Sequence, residues 1–287
     1  MDINKLSLEE KIGQRFIFGI NDSNIDCIIE LIKNAYIGGV VLYKRNYNSY
    51  QDMLKVIKRC KEANKKNKVP LFIAIDQEGG LVNRMPNEIH NLKSLYDVSM
   101  LDSKKIPKFA KVINKMLIDS GINMNFGPVL DIYNNSLSKA LYKRCLYGTG
   151  SQVSKLASVY LDSIKDDKII SVIKHYPGHG VSKMDSHFIV PYVFNYKNVI
   201  NKHMIPFDEN KNKVDAVMVG HIIIRRLTGI WPASLTYKFL DKYLRKDDYN
   251  GLIMSDEVNM LRINPIYHFC YLNKILKSAN DIILIKI

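Results

Sequence analysis

Three histidines and a carboxylate crowd into the fourteen residues from Lys174 to His187, which run Lys174-His175-Tyr176-Pro177-Gly178-His179-Gly180 and, after a short gap, Asp185-Ser186-His187. A histidine beside a carboxylate can release and recover a proton near neutral pH, because its ordinary pKa of about 6.5 lies close to it. Asp185 and His187 are two residues apart, a spacing that turns both side chains to one side in extended backbone. A carboxylate on one ring nitrogen fixes the tautomer and favours the protonated ring. Taken alone, the pair also fits a surface turn with no role. His175, His179 and His187 could instead ligate a metal. Pro177 and the glycines around His179 argue against a helical His-x-x-x-His face, so neither metal nor cofactor is expected.

A second acid, Asp256, follows the apolar run Gly251-Leu252-Ile253-Met254-Ser255, where an acid is either a helix N-cap or a working carboxylate. Its neighbour Glu257 should point the other way and serve structure. Asp76-Gln77-Glu78-Gly79-Gly80 carries two more acids, and its glycines predict a sharp turn with close backbone approach. Asp76 then suits a hydroxyl-binding carboxylate and Glu78 a buried partner for a cation, with Arg84 and Lys174 as candidates. A turn with solvated charges is the plainer alternative.

Positioning these groups requires strands that end beside them. Apolar runs at Phe16–Ile20, Gly39–Tyr43, Leu71–Asp76, Asn123–Val129, Ile169–Lys174, Ala216–Gly220, Leu252–Ser255 and Ile282–Ile285 read as eight strands. Between them lie helical patterns at Ile25–Ala35, Ser49–Ala63, Lys104–Ser120, Val153–Ile164 and Leu235–Leu244. Ser7-Leu8-Glu9-Glu10 makes a capping box ahead of the first strand. Alternation of this kind points to an α/β chain folded as a (β/α)8 barrel, with a doubly wound open sheet as the alternative. In a barrel every polar group above lies just past a strand and faces one mouth. Residues 1–287 hold no linker or repeat and are expected to form a single domain. Ile287 directly follows the last strand, so the last outer helix is expected to be missing. The apolar groove this leaves would be covered by a neighbouring helix or by a second subunit in a homodimer.

Composition bounds the rest. With 47% hydrophobic and 24% charged residues, the 287-residue chain is that of a globular protein with a sizeable core. No apolar run approaches the length of a membrane span, and the start lacks the order of a signal peptide. Cys27, Cys60, Cys145 and Cys270 are scattered, which suggests buried inert thiols in a reducing cytoplasm. The net charge of +14 is spread along the chain without a nucleic-acid-binding signature, so no nucleic-acid partner is expected.

Taken together, these blocks make the chain resemble the glycoside hydrolase family 3 β-N-acetylglucosaminidases of the bacterial cell-wall recycling type. The resemblance rests on Gly38–Asn46, Ile75–Gly80, Asn125–Asp131, the whole of Lys174–His187, and Met254-Ser255-Asp256. It implies a TIM barrel and a retaining mechanism through a covalent glycosyl-enzyme, without metal. By the same resemblance Asp256 is the nucleophile and His187 the acid/base, oriented by Asp185. Asp76, Arg84, Lys174 and His175 match sugar-binding positions, and Arg144 matches a further one in a segment one residue longer than the usual pattern. Val181-Ser182 stands where the family has Asp-Thr, Leu81 replaces an arginine, and Glu257 replaces aspartate or alanine. The implied reaction is removal of non-reducing terminal N-acetylglucosamine from glycosides such as peptidoglycan-derived muropeptides. A β-glucosidase or phosphorylase on the same barrel, or a non-catalytic sugar-binding relative, are the rival readings.

Overall fold

A computed structural model describes residues 2–20, 25–133, 139–182, 190–263 and 271–286. Eight parallel strands form its centre: β1 (Phe16–Gly19), β2 (Gly39–Leu42), β3 (Phe72–Ile75), β4 (Met124–Asn125), β5 (Ile170–Tyr176), β6 (Ala216–Val219), β7 (Leu252–Ser255) and β8 (Ile283–Lys286). They neighbour one another in the order β8-β1-β2-β3-β4-β5-β6-β7. A parallel bridge between Met254 and Ile282 brings β7 back to β8 and closes the ring. This excludes the open doubly wound sheet.

Side-chain alternation makes two cores out of one set of strands. Ile17, Val41, Ala74, Met124, Val172, Ala216, Met218 and Met254 point into the barrel and pack together. Their neighbours Val40, Ile73, Ile75, Ile173, Val217, Val219 and Ile253 point outward, beneath the helices. The covering helices include α1 (Leu8–Gly13), α2 (Ile25–Asn34), α3 (Tyr50–Ala63), α4 (Leu95–Leu101), α5 (Ile106–Asp119) and α6 (Gly150–Ile164). On α5, Phe109, Ala110, Ile113 and Leu117 recur at helical spacing and form the buried stripe. The capping box ahead of the barrel is present: the Glu10 N–H donates to Ser7 Oγ at 3.1 Å and the Ser7 N–H to Glu10 Oε2 at 2.7 Å.

β4 is shorter than the run from Asn123 to Val129 suggests. Pro128 has no N–H to give to a ladder, and pairing resumes only as a single bridge between Val129 and Lys174. A two-stranded ribbon joins Tyr192–Val193 to Ile223–Ile224, and nothing in the sequence pattern announced it. Cys60 and Cys145 are buried, and burial pushes the Cys60 thiol up to about 12. Cys27 is exposed, contrary to the expectation that the thiols are buried; Cys270 lies outside the described residues. No helix among the described residues is long and apolar enough to cross a membrane.

Candidate active site

The inward register continues past the last apolar layer, and there it changes from methyls to charges. Two residues beyond Ala74, Val172 and Met254 come Asp76, Lys174 and Asp256, so period-two alternation aims all three at the barrel axis. They line a cavity of about 640 Å³ at the strands' carboxyl ends. Arg84, Arg144, His175 and His179 line it too, with Tyr43 and Phe126 as apolar walls.

One side of this cavity is a compact charge network. Lys174 Nζ lies 2.7 Å from Asp76 Oδ1 and 2.7 Å from Glu78 Oε1. Arg144 grips the same glutamate in a fork, Nε to Oε2 at 2.9 Å and Nη2 to Oε1 at 2.8 Å. The side chains of Lys174 and Glu78 are only 2% and 4% exposed, so these charges have little water to fall back on. Burial alone would raise the Glu78 pKa, but Arg144 and Lys174 outweigh it and hold the carboxyl far below its ordinary value. Desolvation would likewise lower Lys174, yet Asp76 and Glu78 carry it upward, so the amine stays protonated. The second cation on Glu78 is therefore Arg144, where the sequence pointed to Arg84. Arg84 lines the cavity with its Nε buried and, among the described residues, without a hydrogen-bond partner.

The loop after β3 supplies Asp76, Glu78 and Arg84 from one turn. Gly79 and Gly80 adopt φ of +80° and +59°, as the sequence suggested, and a Cβ on Gly80 would stand 2.5 Å from Ser94 Cβ. Buried Gln77 braces the turn: its N–H donates to Asn125 Oδ1 at 3.0 Å, and its Oε1 accepts the Arg84 N–H at 2.9 Å.

Asp131 is fully buried and holds two histidines at once. Its Oδ2 accepts from His175 Nδ1 at 2.7 Å and from the His175 N–H at 3.1 Å, while Oδ1 accepts the His179 N–H at 2.5 Å. With Nδ1 engaged, His175 has Nε2 left for whatever enters the cavity. Asp131 was not singled out as a site residue from sequence. The signal was there, since it ends the Asn125–Asp131 block, but nothing local says which histidine it meets.

Asp256 Oδ1 accepts the Glu257 N–H at 2.8 Å, and the Asp256 N–H donates to the Val219 carbonyl at 2.9 Å. Desolvation pushes its pKa up, but His175, His221, the Glu257 N–H and Lys174 together bring it below the ordinary aspartate value. The carboxylate is thus ionised where it faces the cavity. Glu257 also lines the cavity, so it does not turn away as expected. Its Oε1 nevertheless accepts the backbone N–H groups of Asn259 at 2.8 Å and Lys286 at 3.2 Å, a structural task. His221 is buried beneath; its Nε2–H donates to the Glu257 carbonyl at 3.0 Å and its Nδ1 accepts from Ser234 Oγ at 2.6 Å.

Asp185 and His187 lie outside the described residues. Among the described residues no cluster of three or more His, Cys, Asp or Glu is placed to hold a metal ion. The arrangement that remains is an ionised carboxylate facing a pocket of cations, carboxylates and an imidazole. That set can hold a polyhydroxylated ring and attack an electrophilic carbon on it.

Comparison with known proteins bears on the same cavity. The Glycosyl hydrolase family 3 N terminal domain pattern matches residues 7–286. A protein named β-hexosaminidase from Glaesserella parasuis is 30% identical over 236 residues, covering 80% of this chain and 68% of its own. β-Hexosaminidase A from Pseudoalteromonas piscicida is 28% identical over 83% of this chain and 44% of its own. The solved structure of a glycoside hydrolase family 3 β-N-acetylglucosaminidase from Paenibacillus sp. superposes with a TM-score of 0.89 at 28% identity, over 98% of this chain and 55% of that one. The chain thus spans about half the length of the last two.

Proposed function

Since the chain belongs to the glycosyl hydrolase family 3 N-terminal domain family, we propose that it is a retaining exo-β-N-acetylglucosaminidase. One observation carries this reading: Asp256 faces, ionised, the same cavity as the Asp76–Lys174–Glu78–Arg144 network and His175. The names of the relatives, β-hexosaminidase and β-N-acetylglucosaminidase, support it.

In this reading the non-reducing sugar sits in the cavity with its hydroxyls on Asp76, Lys174, Arg84, Arg144 and His175. Asp256 attacks the anomeric carbon as the bond to the leaving oxygen breaks, and His187, oriented by Asp185, delivers a proton to that oxygen. Water then attacks the glycosyl-aspartate, His187 takes its proton, and Asp256 leaves as a carboxylate with the β configuration retained. The network fixes its polar atoms before substrate arrives, so little reorganisation opposes the step. Peptidoglycan-derived fragments as substrate and a cytoplasmic location follow from the resemblance to the recycling enzymes and from the scattered cysteines.

Asp256→Ala with an aryl N-acetyl-β-glucosaminide is the test. Chromophore release should fall at least about 10⁴-fold, the scale of losing a nucleophile. Release unchanged by the substitution ends the assignment. Assays with and without phosphate tell hydrolysis from phosphorolysis.

A further inference from the structure

His179 is a buried polar side chain that the mechanism above leaves idle. It is 3% exposed and lines the cavity, yet among the described residues neither Nδ1 nor Nε2 has a hydrogen-bond partner. Buried polar side chains are nearly always satisfied, so a ring with both nitrogens orphaned calls for a reason. Water-exposed disorder is not one, because its backbone is pinned from several sides. The His179 N–H is held by Asp131 Oδ1. Gly178 takes φ of +115°, and a Cβ there would stand 2.7 Å from His203 Cβ. A Cβ on Gly180 would stand 1.8 Å from the Ile132 carbonyl oxygen. The Gly-His-Gly sequence thus allows two backbone approaches that no other residue permits, and between them sets an imidazole in the cavity wall.

The neighbours of that ring say what it meets. It stands edge-on to His175, ring centres 6.1 Å apart, and both histidines hang from Asp131. Burial holds its pKa down to about 4 despite Asp131, and the charge of Asp256 acts on it as well. At neutral pH it is therefore an uncharged ring with one donor and one acceptor, lining the same cavity as the group proposed to attack the anomeric carbon. Such a ring complements a substituent that can both give and take a hydrogen bond.

We propose that His179 binds the substituent at C2 of the sugar, the position adjoining the anomeric carbon, and so contributes to selecting an acetamido or hydroxyl group there. This rests on the glycosidase reading of the cavity. The orphaned nitrogen is satisfied only when the sugar arrives, so its hydrogen bond appears in the complex and not in the free protein.

The test compares the native protein with His179→Leu and His179→Gln on three aryl β-glycosides: the N-acetylglucosaminide, the glucoside and the 2-deoxyglucoside. For the Leu variant, kcat/KM on the N-acetylglucosaminide should fall roughly 10- to 100-fold, while the 2-deoxyglucoside changes less than about 3-fold. A larger loss on the glucoside than on the N-acetylglucosaminide would assign the contact to a hydroxyl. The Gln variant should recover part of the loss. Because leucine removes an unsatisfied buried group, its melting temperature should equal or exceed the native one. Equal losses on all three glycosides with a lowered melting temperature would make His179 merely structural, and unchanged kcat/KM would overturn the proposal outright. Should the native protein turn over none of the three, the functional reading fails on its own. Calorimetry with N-acetylglucosamine then decides His179: weaker binding by the Leu variant supports it, and equal or undetectable binding by both overturns it.

Discussion

Glu78→Gln isolates the charge network, because it keeps the shape of the side chain and removes only its charge. The native cluster pairs two cations, Lys174 and Arg144, with two anions, Asp76 and Glu78. The variant leaves one positive charge uncompensated, next to a lysine side chain 2% exposed to water. Removing one member of a buried ion pair costs about 3–5 kcal/mol, since the partner keeps its desolvation penalty and loses its attraction. Against a total stability of roughly 5–15 kcal/mol that is a large share. At about 2–4 °C per kcal/mol, the melting temperature should fall by roughly 6–20 °C. The pH dependence follows from the direction of the Glu78 shift. Its folded pKa is depressed, so its contribution is complete above the unfolded carboxylate value of about 4.3 and is lost as pH falls through the folded value. The gap between native and variant should therefore be constant from pH 8 to 5 and close only in stronger acid. Thermal melts across that range, checked by urea titration, read both effects. A variant melting within about 2 °C of native at pH 7 would refute the reasoning.

Asp131→Asn should leave the fold intact but lower kcat/KM by about 10- to 100-fold, because the amide cannot accept from His175 Nδ1 and both backbone N–H groups as the carboxylate does; full activity would remove Asp131 as an orienting group. Since Asp256 lies below the ordinary aspartate value and must be ionised to attack, the acid limb of kcat/KM should fall below about pH 4, and a limb near 5 to 6 would assign it to another group. His187→Ala should lose much of its activity on poor leaving groups and little on those that need no proton; equal losses on both would contradict the acid role.

Much of the barrel was legible because its strands announce themselves twice, as apolar runs and as the places where polar motifs begin. Leu71–Asp76 became Phe72–Ile75 and Ala216–Gly220 became Ala216–Val219, with only the ends trimmed. Leu235–Leu244 was less faithful: it breaks into a 3-10 turn, a short α segment and a π segment, distinctions of hydrogen-bond register that periodicity does not carry. Asp76, Lys174 and Asp256 line one cavity because period-two alternation at the strand ends fixes their direction before any contact is known. His175, Arg84 and Arg144 line it too, but alternation does not place them, since His175 directly follows Lys174 and the two arginines lie in loops. Pairings were harder. The choice of Arg144 over Arg84 for Glu78, and of Asp131 for His175, joins residues 66 and 44 positions apart, and only the closed sheet brings them together.

The most direct measurement is mass spectrometry of the protein after incubation with a fluorinated N-acetylglucosaminide that forms the glycosyl-enzyme quickly and hydrolyses slowly. One glycosyl label should be found, on the peptide bearing Asp256, and Asp256→Ala should remain unlabelled. A label on any other residue, or complete turnover to the inverted anomer with no adduct, would contradict the account.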